Sequence, residues 1–368
     1  MSSTSSIWHR LYHGETTFAF VDHKRRWFIL SGVVILIGLV SLLAQGLNFG
    51  IDFEGGTAWE VKTSGVSVAE TRDALRPVGL ADAKVQILGG SGGETVRVQA
   101  DVSGTDEERA TRRDEVSAAL GKLAGAPADE VSVNEVGPSW GGDITRKAER
   151  ALVFFFIAIT LYISLRFEWK MAVAALAAVV HDIALTVGVY SLSGFEVTPA
   201  TVIAFLTILG YSLYDTIVVF DKVQENTKSL ASSGRLTYAD TVNLSMNQVL
   251  MRSLNTSLVA ILPILSVLVI GSFILGAASL KDFGLALLIG LLTGAYSSIF
   301  IAAPVLAILK EREPRFAAIR SRVTAKGPVG PLTPAAAAAG GLTTTPPSAT
   351  PSGGTGAGTA IKAPARPA

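Results

Sequence analysis

Asp215 stands inside an apolar run, Ala200–Phe220, that is long enough to cross a membrane. A carboxylate at that depth costs roughly 2.5–3.5 kcal/mol on insertion scales, so its presence asks for a use. Helical spacing places Thr207, Tyr211 and Ser212 on the side of the run that carries Asp215, and Lys222 continues that face. A polar stripe within a membrane helix must face protein or water, not lipid. Two readings follow. One is a structural aspartate held by a neighbouring span. The other, and the stronger, is a carboxylate that gains and loses a proton as water access changes. Arg252, at the entrance of another apolar run with Asn255 and Thr256 on its face, is the natural cation for it. An ordinary interfacial anchor is the plain alternative for that arginine. His181 and Asp182 lie in the middle of a third run, with Thr186 one turn on from Asp182. They form either part of a proton path or an interhelical hydrogen-bonded pair.

Other chemistry is poorly served. HExxH and GxxxxGK[ST] do not occur, so neither a zinc-hydrolase helix nor a P-loop is encoded. The chain has no cysteine, which removes disulfides and thiolate metal sites. No enzyme activity, cofactor or metal is expected. The net charge is +1, and no Lys/Arg block is interleaved with aromatics, which argues against nucleic acid.

The elements that must hold these groups are membrane helices. Of 368 residues, 49% are hydrophobic and 17% charged, the balance of a polytopic membrane protein. Six apolar runs approach or exceed spanning length: Trp27–Leu47, Ala151–Leu165, Met171–Leu192, Ala200–Phe220, Leu254–Leu275 and Phe283–Leu309. Pro263 predicts a kink in the fifth. Basic residues cluster before the first run (Lys24, Arg25, Arg26), between the second and third (Arg166, Lys170), between the fourth and fifth, and after the sixth. The positive-inside rule then puts both termini in the cytoplasm. The first run is too long for a typical signal-peptide core and reads as an uncleaved anchor.

Between the first two runs, Asn48–Arg150 is long enough for a small domain. AWEVKT, AKVQIL, ETVRVQA and EVSVNEVG read as strands. SVAETRDALRPVG reads as a helix opened by a Ser67/Glu70 capping box, and TDEERATRRDEVSAALGKLAG as a second helix. The order βαββαβ predicts a ferredoxin-like α+β domain, exported if the topology holds. GGSGG joins two strands as a hairpin loop. Lys222–Arg252 is expected as a cytoplasmic amphipathic loop whose second half forms a surface helix, with Asp221 and Glu225 solvated. After about Thr324 the chain turns to Ala, Pro, Gly and Thr and is expected to be disordered.

FGIDFEGGTAWEV (with Gly50, Asp52, Gly55 and Gly56), HDIALTVGVYSL, GYSLYDTIVVFDKVQEN, RSLNTSLVAILPIL and LKDFGLALLIGLLTGAYSSIFIAAPVL occur in an order that resembles the SecF proteins of the SecD/SecF family. The resemblance covers roughly Trp27–Leu309. It implies a six-span protein of the resistance–nodulation–division superfamily that works with SecD as an accessory of the SecYEG translocon. YajC, an unfolded preprotein and the bilayer are further implied partners, and the bacterial cell membrane is the implied location. It implies proton transport at Asp215 and a functional arginine at Arg252. The family often has Asn where this chain has Tyr214, so a hydrogen bond from that position is not carried over. Tyr214 and the low-complexity tail look actinobacterial. The chain carries no second set of six runs and so reads as half of a two-part machine. A small-molecule efflux half-transporter and a non-transporting assembly factor are the competing readings.

Overall fold

A computed structural model describes residues 7–13, 15–90, 93–102, 104–230, 236–274, 278–325 and 333–338. In chain order the elements are α1 (Ile7–Tyr12), α2 (Lys24–Gln45), β1 (Asn48–Phe49), α3 (Ile51–Glu54), β2 (Gly56–Thr63), α4 (Val68–Leu75), β3 (Lys84–Gly90), β4 (Gly93–Ala100), α5 (Asp106–Ala124), β5 (Ser132–Val136), α6 (Pro138–Arg166), α7 (Trp169–Ser193), β6 (Glu196–Val197), α8 (Pro199–Leu230), α9 (Tyr238–Ser266), α10 (Ala278–Ser297), α11 (Ala303–Glu311), α12 (Pro314–Ala325) and α13 (Pro334–Ala338). Two π-helical segments, Val267–Ile274 and Ser298–Ala302, continue α9 and join α10 to α11.

Six of these helical stretches are long and apolar enough to cross a membrane: Lys24–Gln45, Trp140–Arg166, Trp169–Ser193, Pro199–Lys228, Tyr238–Gly271 and Leu280–Glu311. Each expected run is found, but most of the helices outlast the apolar residues, while the first ends at Gln45, short of the expected Leu47. The second was expected to begin at Ala151; α6 begins at Pro138, because Pro138 suits a first turn and Gly141, which would weaken an isolated helix, lets α6 pack closely on the Phe53 carbonyl of α3. Much of the expected loop Lys222–Arg252 is helical: α8 reaches Leu230 and α9 starts at Tyr238, behind a Thr237/Asp240 capping box. Asp221 pairs with Arg166 at 3.0 Å and Glu225 with Lys222 at 2.9 Å. Pro263 lies inside α9, whose α-helical ladder gives way to the wider π-helical turn at Val267. Within the tail, Pro334–Ala338 is helical, and most of the remainder lies outside the described residues.

The α+β domain is the ferredoxin-like fold expected. Its sheet runs β3-β4-β2-β5, all neighbours antiparallel. Trp59, Val61, Val96 and Val98 alternate onto one face and meet Leu75, Val116 and Leu120 from α4 and α5. Ser67 and Glu70 close the capping box read from sequence, and Thr105 and Glu108 close a second.

The domain is tied to the helices by contacts remote in sequence. β1, just after α2, pairs in parallel with β6, between α7 and α8. Arg97 on β4 places Nη1 3.1 Å from Glu196 on β6 and Nε 3.2 Å from Glu60 on β2. Gln99 donates from Nε2 to Glu196 Oε1 at 2.8 Å. The glycines of FGIDFEGG make this corner possible. A β-carbon on Gly50 would lie 2.5 Å from Glu196 Oε1. Gly55 and Gly56 hold φ of 82° and 115°, a region that L-residues rarely enter. Asp52, half-buried, sits in the one-turn helix α3 between them.

Candidate functional site

The site forms where α8 meets α9, α10 and α7. α8 can approach α10 closely because α10 presents Gly290 and Gly294, a small-xxx-small pair. A β-carbon on Gly290 would lie 2.3 Å from Ile208 Cδ1, and one on Gly294 would lie 2.7 Å from Ser212 Cβ. Larger residues there would push apart the two helices that enclose the polar groups.

Asp215 is buried, 6% exposed, near the middle of α8. The Ser253 hydroxyl of α9 donates to its Oδ1 in a short hydrogen bond, and Ser298 also faces the carboxyl. Asp215 Oδ2 has no hydrogen-bond partner among the described residues. Ser298 opens the π-helical segment, and its hydroxyl donates to the carbonyls of Gly294 and Ser212 at 2.9 and 3.2 Å. The Thr216 hydroxyl lies 3.0 Å from that of Ser298. A π-turn realigns the side chains that follow and is common where helices carry function.

One turn before Asp215, Ser212 donates to Asp182 Oδ2 at 2.6 Å. His181 Nδ1 lies 3.2 Å from Asp182 Oδ1, and the imidazole stacks on Tyr296 with centroids 5.8 Å apart. The Tyr296 hydroxyl reaches Ser31 at 3.0 Å. Polar groups from α2, α7, α8 and α10 thus line up beside the Asp215 pair. Ser212 stands between the two acids: its side chain serves Asp182 and its carbonyl serves Ser298 and Thr216. An array of hydroxyls around a buried carboxyl can pass protons by rotation of O–H bonds, since each hydroxyl both donates and accepts.

The residues singled out from sequence do not all converge. Ser212 lies inside the cluster. Tyr211 is half-buried and donates to the Thr256 carbonyl at 2.8 Å, bracing α8 against α9. Thr207 is exposed and bonds back to the Ile203 carbonyl of its own helix at 2.8 Å. The stripe therefore splits between the polar cluster and the outer surface. Tyr214 also faces outward. Arg252 is exposed, and among the described residues no ion pair joins it to Asp215. Its neighbour Ser253 makes the contact instead. Ser253, Ser298 and Tyr296 were missed. The Gly290/Gly294 spacing was the available signal that α10 meets a partner closely.

Comparison with known proteins agrees with this architecture. The family model described as protein export membrane protein SecD/SecF, C-terminal, matches residues 116–312. The SecD/SecF GG motif matches residues 40–64, which contain Gly50, Asp52, Gly55 and Gly56. Protein translocase subunit SecF of Streptomyces coelicolor is 44% identical over 327 residues, covering 89% of this chain and 86% of the relative. Its counterpart from Mycobacterium tuberculosis is 44% identical over 307 residues, covering 82% of this chain and 69% of the relative. The crystal structure of SecDF, a translocon-associated membrane protein from Thermus thermophilus, superposes with a TM-score of 0.69 at 34% identity. That match covers 81% of this chain but only 39% of the SecDF chain. With that family model matching more than half of this chain, and SecF relatives 44% identical over more than four-fifths of it, the chain belongs to the SecD/SecF family of protein-export membrane proteins, in its SecF branch.

Proposed function

We propose that this protein is an accessory subunit of the Sec translocon that couples proton flow to late preprotein translocation, together with SecD. The observation that carries the reading is the buried carboxyl of Asp215. One oxygen is held by Ser253 and the other has no hydrogen-bond partner among the described residues. Burial makes its charged form costly, so its protonation responds to small changes in water access and in the donors around it. The protonated carboxyl keeps the Ser253 contact and adds a donor of its own; the ionised carboxyl calls for more donors than Ser253 alone. Switching between these demands shifts α8 against α9 and α10.

α8 starts just after β6, and Glu196 of β6 is bonded to Arg97 and Gln99 of the α+β domain. Movement of α8 is thereby passed to the domain, which holds or pulls the emerging chain. His181 and Asp182 extend the proton path through Ser212. Arg252, exposed near the same level of α9, supplies a positive field at the mouth of the path rather than a direct partner. The protein lies in the bacterial cell membrane with both termini cytoplasmic and the α+β domain exported. SecD supplies the complementary half, as the 39% coverage of the SecDF chain suggests, and the assembly docks on SecYEG with YajC alongside. The names of the relatives favour export over small-molecule efflux.

The test is preprotein export into inverted membrane vesicles, with and without a proton gradient. Wild-type protein should be stimulated by the gradient, and Asp215→Asn should lose that stimulation while keeping basal export. Equal stimulation of the variant would sink the coupling role.

A further inference from the structure

On the side nearest the α+β domain, the helices border a half-open cavity of about 450 Å³. It is bounded by Leu47 and Phe49 just after α2, by α3, the N-terminal half of α6, the last turns of α7, Val197 of β6, the first turns of α8 and Ala286 of α10. Its volume falls in the range of small-molecule sites, about 300–1,000 Å³. The walls are almost wholly apolar, with Phe53, Leu152, Tyr190 and Phe205 among them. The lining residues of α7 and α8 lie within two or three turns of the helix ends nearest the α+β domain. The outer face of α6 alongside exposes Phe154, Ile157 and Leu161, so hydrocarbon borders this helix.

The lining carries two acids, Glu54 and Glu149, both exposed. Neither has an ion-pair partner among the described residues. The basic residues of this part of α6, Arg146, Lys147 and Arg150, are exposed and absent from the cavity wall. An apolar slot whose lining residues carry negative but no positive charge fits an amphiphile with one hydrocarbon chain inserted and a cationic group outside. We propose that the cavity holds an acyl chain of a phospholipid with an ammonium headgroup, phosphatidylethanolamine, whose ammonium is received by Glu54 and Glu149. This rests on the chain spanning a membrane, and not on proton transport at Asp215. Lipid seated there would fill the space between α6 and α8 at the joint with the α+β domain.

The experiment uses the full chain, delipidated in detergent and exposed to an equal mixture of phosphatidylethanolamine and phosphatidylglycerol. Retained lipid is counted by native mass spectrometry. Wild type should retain phosphatidylethanolamine in excess by about threefold or more, the discrimination expected of two partly exposed charge contacts. Glu54→Gln with Glu149→Gln should abolish the excess without changing total retained lipid, and these surface changes leave the fold intact. Ala148→Trp, which fills the slot, should lower retention of both lipids severalfold. Equal retention of the two lipids by wild type would overturn the headgroup assignment. Unchanged retention in folded Ala148→Trp would overturn the site. Loss of the lipid when SecD is added would assign the slot to a partner helix instead.

Discussion

At the scale of single residues, the site depends on a hydroxyl that the sequence does not advertise. Asp215 is legible because a carboxyl in an apolar run is costly. Ser253 is not, because a serine before an apolar run is unremarkable, and its contact depends on the register between α8 and α9. Removing it by Ser253→Ala leaves a buried acid without its donor, a loss of about 1–3 kcal/mol. The melting temperature of the variant should fall and gradient-stimulated export should drop, while Ser253→Thr, which keeps the hydroxyl, should recover both. Arg252 gives the opposite expectation. Its side chain is exposed and not paired with Asp215, so Arg252→Gln should change stability by no more than about 0.5 kcal/mol. A melting shift as large as that of Ser253→Ala would show that the arginine reaches the acid directly.

Among the elements, patterning made the α+β domain readable. Alternating strands, turn glycines and two acidic helix starts gave the order and pairing of its sheet. The membrane helices were readable in number but not in extent, because polar residues that continue a helix carry no stop signal, as at the start of α6. The attachment of the domain was not readable at all, since β1 and β6 meet from 148 positions apart in sequence. That attachment has its own consequence. Glu196 is 4% exposed and depends on Arg97 and Gln99. Arg97→Ala would leave it buried and uncompensated, at a cost of about 3–5 kcal/mol. Hydrogen exchange should speed up in β4 and β6, and much less in Arg97→Ala paired with Glu196→Leu, which removes both charges. The capping boxes predict an acid response. Backbone and hydroxyl donors of Ser67 and Thr105 hold Glu70 and Glu108 below the usual carboxylate range. Their contribution is present above the unfolded value near 4.5 and is lost as pH falls through the lower folded value. Exchange protection at the first turns of α4 and α5 should therefore decline below about pH 4, before the sheet opens.

For the molecule as a whole, chain ends are used as fasteners. The segment before α2 lies along α9, where Asn247 accepts from the Phe18 amide at 2.9 Å and donates to the Phe18 carbonyl at 2.9 Å. Asn243 accepts from the Val21 amide at 2.9 Å. Asn247→Ala should free this segment, and limited proteolysis should then cut it several times faster while the helices stay intact. No local pattern reveals such a clasp, because it joins residues more than two hundred positions apart. Helix α2 itself is held by a closer approach. Gly38 of α2 and Gly188 of α7 touch backbone to backbone, and a β-carbon on Gly38 would lie 2.7 Å from the Gly188 Cα. The two positions claim the same volume, so a methyl group at either must already move the helices apart. Once they have moved, the second methyl finds room that the first created. Gly38→Ala and Gly188→Ala should each be severe, and the double variant should be far milder than their sum. Along a mutational path, whichever glycine is lost first lifts the constraint on the other, and reversion becomes possible only in pairs.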